Sequence, residues 1–219
     1  LCTTLYPDDK THRMNILHAW WPGGLIIGGL ASYAITKLMG LDTSDVSANV
    51  ATLGWQIKLS IILVAAAIYA YLIRGQYFPA TERVTAGVST SQMLREAIRP
   101  MFLLWWLAMW MTAATELGPD QWVGSIITNL TGMSGILILV YTAGIMFVLR
   151  FYGGPMAHRF SPMGVLTASA ILSGLGLVGL SNVETPWQAF AAATVFGIGK
   201  TYFWPFMLGV TSERFPNGG

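Results

Sequence analysis

The feature that most constrains this chain is the length of its uncharged stretches. From Gln121 to Leu149, and again from Phe160 to Val183, no Asp, Glu, Lys or Arg occurs. An element packed in water needs a polar face and so shows charge every turn or two. Runs this long without charge suit hydrocarbon instead. A bilayer core about 30 Å thick takes about 20 residues of helix at about 1.5 Å each. Six segments qualify, at roughly 15–39, 55–74, 101–122, 134–152, 163–181 and 187–210. The expected fold class is therefore all-α, a polytopic membrane helix bundle with six transmembrane helices.

Composition agrees, with 54% hydrophobic and 10% charged residues, against about 25% charged in a soluble domain. The formal net charge of +2 comes from scattered basic residues, which excludes a nucleic-acid partner. Cys2 is the sole cysteine, so neither an internal disulfide nor a multi-cysteine metal site is expected. No Ser/His/Asp or Cys/His set and no His-Glu-x-x-His spacing occurs, so the expectation is not an enzyme and no cofactor. The first apolar run lacks a small-residue cleavage site and is too long for a signal peptide. A start at Leu1 and an end at Pro216-Asn217-Gly218-Gly219 read as those of an internal fragment.

Lys and Arg in short connections mark the cytoplasmic side. Lys10, Arg13, Arg74, Arg83, Arg95, Arg99, Arg150, Arg159 and Arg214 fall on one side, and Asp42, Asp45, Asp120 and Glu184 fall in the opposite connections. Both ends are then cytoplasmic. Lys37 and Lys58, near outer helix ends, read as anchors whose side chains snorkel to the interface. The longest connection, Gly75 to Pro100, contains a short amphipathic segment from Thr90 to Ile98 behind a Ser/Thr start.

An ionisable group at membrane depth is costly, and so is a functional candidate. Lys200, in Gly197-Ile198-Gly199-Lys200-Thr201-Tyr202, lies about 20 Å along its helix, close to the midplane. Glu116, in Thr115-Glu116-Leu117-Gly118-Pro119, stands where Gly and Pro are expected to break the third helix, as in binding sites of transporters. Trp105, Trp106, Tyr202 and Trp204 offer aromatic cavity surface. Gly199-Lys200-Thr201 is no phosphate loop, because Thr194 stands where that motif needs glycine. His18, beside Trp20, Trp21 and Pro22, suits an interfacial belt or a proton relay. Glycines 23, 24, 28 and 29 predict close helix packing. Arg150, Gly154 and Arg159 lie in a tight basic turn able to latch helix ends in one gating state, and Asn129-Leu130-Thr131 matches a glycosylation acceptor.

The stretch Tyr6-Pro7 to Asn15-Ile16-Leu17-His18-Ala19-Trp20 through Gly24 resembles the fifth helix of major facilitator superfamily transporters, in the branch of sugar and proton symporters related to fucose permease. Glu116 with Trp122 resembles the acid and tryptophan of that family's seventh helix, and Gly154 to Arg159 its basic loop between helices eight and nine. There the chain departs from the pattern, with His158 at the acidic position and Ser161-Pro162 for a Gly-basic pair. Gly197 to Pro205 fits the tenth helix. The resemblance implies a fragment covering helices five to ten of twelve. Residues 1–74 then end an N-terminal bundle, 75–100 form the central cytoplasmic linker, and 101–219 belong to the C-terminal bundle. It further implies a secondary active transporter working by alternating access, with a small-molecule substrate such as a sugar, a proton as coupling ion, and the lipid bilayer as surroundings. A non-transporting membrane sensor or assembly subunit on the same fold is the other reading.

Overall fold

The computed structural model describes residues 2–6, 10–215 and 217, and every regular element among them is an α-helix. A short α1 (Cys2–Leu5) precedes α2 (Lys10–Leu38) and α3 (Ala48–Ile73). The long connection then holds α4 (Glu82–Thr85) and α5 (Thr90–Ala97), the latter started by a capping box between Ser89 and Gln92. After these come α6 (Pro100–Thr131), α7 (Ile136–Arg150), α8 (Gly153–Phe160), α9 (Pro162–Leu180), α10 (Pro186–Lys200) and α11 (Phe203–Arg214). By length and composition α3 and α9 are each able to cross a membrane. Up to four elements qualify if the bent pairs α5–α6, at 70°, and α7–α8, at 65°, each count as one.

Local chemistry sets the boundaries. Proline stands in the first turn of α6, α9 and α10, where its missing N–H costs nothing. Gly132 ends α6 at φ +70°, a left-handed conformation that glycine adopts without strain. The expected break at Gly118-Pro119 does not occur, and α6 continues through Pro119 for three further turns. A proline inside a helix removes one hydrogen bond, and apolar surroundings penalise opening any others, so the helix bridges it. The expected turn at residues 153–159 is likewise a helix, α8.

Two buried clusters form the core. Val123 and Ile127 of α6 meet Ile138 of α7, Leu180 of α9, and Ala189, Ala193 and Phe196 of α10. Val165 and Leu166 of α9 meet Tyr202, Phe203, Phe206, Met207 and Val210, with Trp105 of α6 against them. Helix α2 docks on this body chiefly through α7, where Cβ atoms at Gly23 and Gly29 would lie 3.1 Å from Phe147 and 2.7 Å from Val140. Gly24 and Gly28 meet nothing within 4 Å, so half of the glycine stretch packs as expected. Helix α3 touches α2 and leaves Leu63, Tyr69, Tyr71 and Leu72 exposed on several faces. Apolar surface exposed on every side of a helix calls for lipid or a partner surface around it.

Helices α9 and α10 pack backbone against backbone. A Cβ at Gly176 would stand 2.4 Å from the Phe196 backbone nitrogen, and one at Gly199 would stand 2.4 Å from that of Ser173. Since neither backbone can yield without separating the helices, Gly176→Ala is expected to cost about 1–3 kcal/mol. Its unfolding midpoint in a denaturant titration in mixed micelles should fall accordingly, whereas Gly174→Ala, which meets nothing within 4 Å, should leave the midpoint in place.

Candidate functional site

Four charged side chains are withdrawn into this apolar body as two pairs. Arg150, the last residue of α7, is 1% exposed and donates from Nη2 to Glu116 Oε1 at 3.3 Å. Lys200, the last residue of α10, is also 1% exposed and donates from Nζ to Asp120 Oδ1 at 2.5 Å, with the Phe196 ring 4.9 Å away. Glu116 and Asp120 lie four residues apart on α6 and therefore share one face. Both cations sit in the final turn of their helices, where unpaired carbonyls favour positive charge.

The remaining donors of Arg150 explain its position. Nη1 donates to the His18 carbonyl at 2.7 Å, and Nε donates to the Thr201 carbonyl at 2.8 Å. In a helical ladder each carbonyl accepts from the N–H four residues on. Four residues beyond His18 is Pro22, and four beyond Thr201 is Pro205; neither has an N–H to give. Both prolines are fully buried, so water does not replace the missing donors. One planar guanidinium thus serves two proline-freed carbonyls and a carboxylate, joining α2, α6, α7 and the α10–α11 junction.

Beside the pairs opens a cleft of about 870 Å³ between α2, α3, α6 and α7. Its walls are polar, with Ser32, Tyr33 and Thr36 on one side and Gln121, Ser125 and Asn129 on another. Lys37 pairs with Asp42 at its rim, and that hydrogen bond holds the Asp42 carboxyl below the usual carboxylate range. Asp120 belongs to both features, because it lines the cleft while accepting from Lys200. The inner pair does not line the cleft, and Glu116 Oε2 has no hydrogen-bond partner among the described residues.

Several expectations change. Glu116 does not stand at a broken outer end but inside a continuous helix, fully buried. Asp120, assigned to a connection, is a helical residue with eleven more of α6 after it; it and Arg150 are the site residues that sequence reasoning misplaced. Lys200 is buried as expected, and its partner is Asp120. His18 contributes its carbonyl, while its ring Nδ1 stays 2.8 Å from the Met14 carbonyl of its own helix.

Of the aromatics, Trp105 donates to Thr211 Oγ1 at 2.6 Å and Tyr202 donates to the Leu149 carbonyl at 2.8 Å, so both are tied into packing. Trp106 and Trp204 line a separate apolar groove of about 410 Å³, and none of the four lines the polar cleft. Gly154 packs against His12, where a Cβ would come 2.8 Å from its ring, whereas Arg159 is exposed over Phe160. Arg150 therefore leaves the set of loop residues, and Arg159 takes no part in the charge network. Asn129 of the glycosylation motif lies within α6, on the cleft wall.

Among the described residues no three His, Cys, Asp or Glu side chains group as metal ligands would. In comparisons with known proteins, no family model, no curated sequence and no solved structure matches this chain.

Proposed function

We propose that the chain is part of a secondary active transporter of the major facilitator type, working by alternating access with six membrane crossings in this stretch. On this reading α2, α3, α6, α7–α8, α9 and α10–α11 are the six, with both ends cytoplasmic. The observation that carries it is Asp120, which faces a polar cleft and a buried lysine together. Charge withdrawn into apolar helices is expensive, and two helix-joining pairs beside a solvent-open cleft make a body whose internal bonds a solute or proton can exchange. Breaks at the α7–α8 and α10–α11 junctions support the same reading, since interrupted helices at such depth line cavities or are held by protein donors.

In this scheme Glu116 is the proton-carrying carboxyl, because Oε2 has no hydrogen-bond donor among the described residues and a proton there would loosen the hold of Arg150 on the carboxylate. Lys200 and Asp120 respond to solute in the cleft. The substrate class is a small polar solute such as a sugar, and the coupling ion is the proton.

The test is uptake of labelled sugars, nucleosides and organic acids by proteoliposomes carrying the full-length protein, with and without an inward proton gradient. Gradient-stimulated uptake of one compound is expected, and Glu116→Gln should retain uptake while removing its response to the gradient. Well-folded protein that moves nothing across the panel would favour the sensor or assembly-subunit reading, and a gradient response that survives Glu116→Gln would remove Glu116 from coupling.

A further inference from the structure

Charge around the polar cleft does not balance. Its walls bear two cations, Lys37 and Lys58, and two carboxylates, Asp42 and Asp120. Asp42 is taken by Lys37, and Asp120 is taken by Lys200 from outside the cleft. Lys58 remains, with Nζ donating to the Thr36 hydroxyl at 2.7 Å and with no ion pair among the described residues. A hydroxyl accepts a hydrogen bond from an ammonium but does not neutralise it.

Depth makes the imbalance matter. The sequence placed Lys58 near an outer end as an anchor, on a segment starting at residue 55. Helix α3 in fact begins seven residues earlier, at Ala48, so Lys58 lies about 15 Å along a helix about 39 Å long. At that depth a lysine without a carboxylate is costly, and it persists where a water-filled cavity or a ligand answers it. Its side chain is partly buried and lines the cleft, where it donates to Thr36 in the last turn of α2.

The rest of the wall defines what else a ligand needs. Ser32, Tyr33 and Thr36 on α2 face Gln121, Ser125 and Asn129 on α6, a set of hydroxyls and amides that both donate and accept. A volume of about 870 Å³ is within the range of small-molecule sites. We infer that the cleft binds a small hydroxylated carboxylate, with Lys58 as the counterion of its carboxylate and the α2 and α6 side chains bonding its hydroxyls. One uncompensated cation answers one negative charge, which selects a monocarboxylate over a dianion. The inference rests on the transport reading for its purpose, and it gives that reading's solute a charge.

Equilibrium binding to the detergent-purified full-length protein tests this without any flux. Labelled glucuronate and gluconate are the probes, with glucose and sorbitol as their uncharged counterparts. At least one carboxylate should bind about 10-fold or more tighter than its counterpart, the scale of a charge-assisted hydrogen bond. Lys58→Gln, which keeps a donor for Thr36 and loses the charge, should abolish the preference, and Lys58→Arg should keep it. Equal binding of the uncharged solutes, an unchanged preference in Lys58→Gln, or no carboxylate bound by folded protein would each overturn the inference. If the glutamine variant fails to fold, the charged-against-uncharged comparison on the unaltered protein still decides. Carboxylate binding without uptake would sink the transport reading and leave the site standing; uptake of neutral solutes without carboxylate binding would do the reverse.

Discussion

Replacing Arg150 with leucine is expected to destabilise the protein by about 3–5 kcal/mol, the cost of leaving a buried charge without its partner. The substitution strands the Glu116 carboxylate and, with it, the His18 and Thr201 carbonyls that their helices cannot satisfy. Denaturant titration in mixed micelles should show the loss as an early midpoint. Arg150→Lys should recover little, because the three donors of an ammonium leave a single nitrogen and cannot span acceptors that Arg150 reaches from Nε, Nη1 and Nη2. Adding Glu116→Leu to Arg150→Leu should recover part of the stability by removing the stranded charge, while the two carbonyls stay unserved. A midpoint unchanged in Arg150→Leu would mean that water reaches both carbonyls, and the account of the prolines would fall.

Lys200→Met is expected to behave differently, although it too removes the cation of a buried pair. Asp120 is 13% exposed and lines the cleft, so water can solvate its carboxylate once the ammonium is gone. The amount of folded protein in the membrane should therefore hold, while on the proposed transport reading uptake by the full-length protein should be lost. The double variant Lys200→Met, Asp120→Asn should also be inactive with its fold intact, since it removes the exchangeable pair rather than one half of it. Retained uptake in Lys200→Met would exclude this pair from the transport cycle. The two lysine and arginine variants together separate a pair that holds helices from a pair that a solute can reach.

Much of the helical layout was legible. The segment expected at 163–181 is α9 (Pro162–Leu180), and the one expected at 15–39 falls within a turn or two of α2. Apolar periods and starting prolines are local signals, and they identify helices well. What failed was the break expected at Gly118-Pro119 in α6. Gly118-Pro119 carries the residues that end helices in water, but α6 ends at Gly132, in the left-handed conformation that a helix C-cap uses. That error placed Asp120 outside the helix and hid the partner of Lys200.

The buried state of Lys200 was readable from its flanks, whereas that of Arg150 was not. Arg150 follows fourteen uncharged residues of α7 and stands shortly before Gly153-Gly154, which is also how an ordinary cytoplasmic loop begins. A signal nevertheless existed in Pro22 and Pro205, each of which frees a carbonyl that needs a donor from another helix. Recognising which donor serves both requires knowing that α2 and the α10–α11 junction flank the end of α7, and that is tertiary information.

The three acceptors of Arg150 also carry an order in time. His18 and Glu116 precede it in the chain, whereas Thr201 follows it by 51 residues. A ribosome making this chain therefore delivers the guanidinium with two of its acceptors already made and the third still to be synthesised. Until α10 and the start of α11 arrive, the Nε donor has no destination. Closure of that last bond reports that the α10–α11 junction has docked against the end of α7, and a nascent chain stalled before Thr201 holds a buried arginine with one donor unserved.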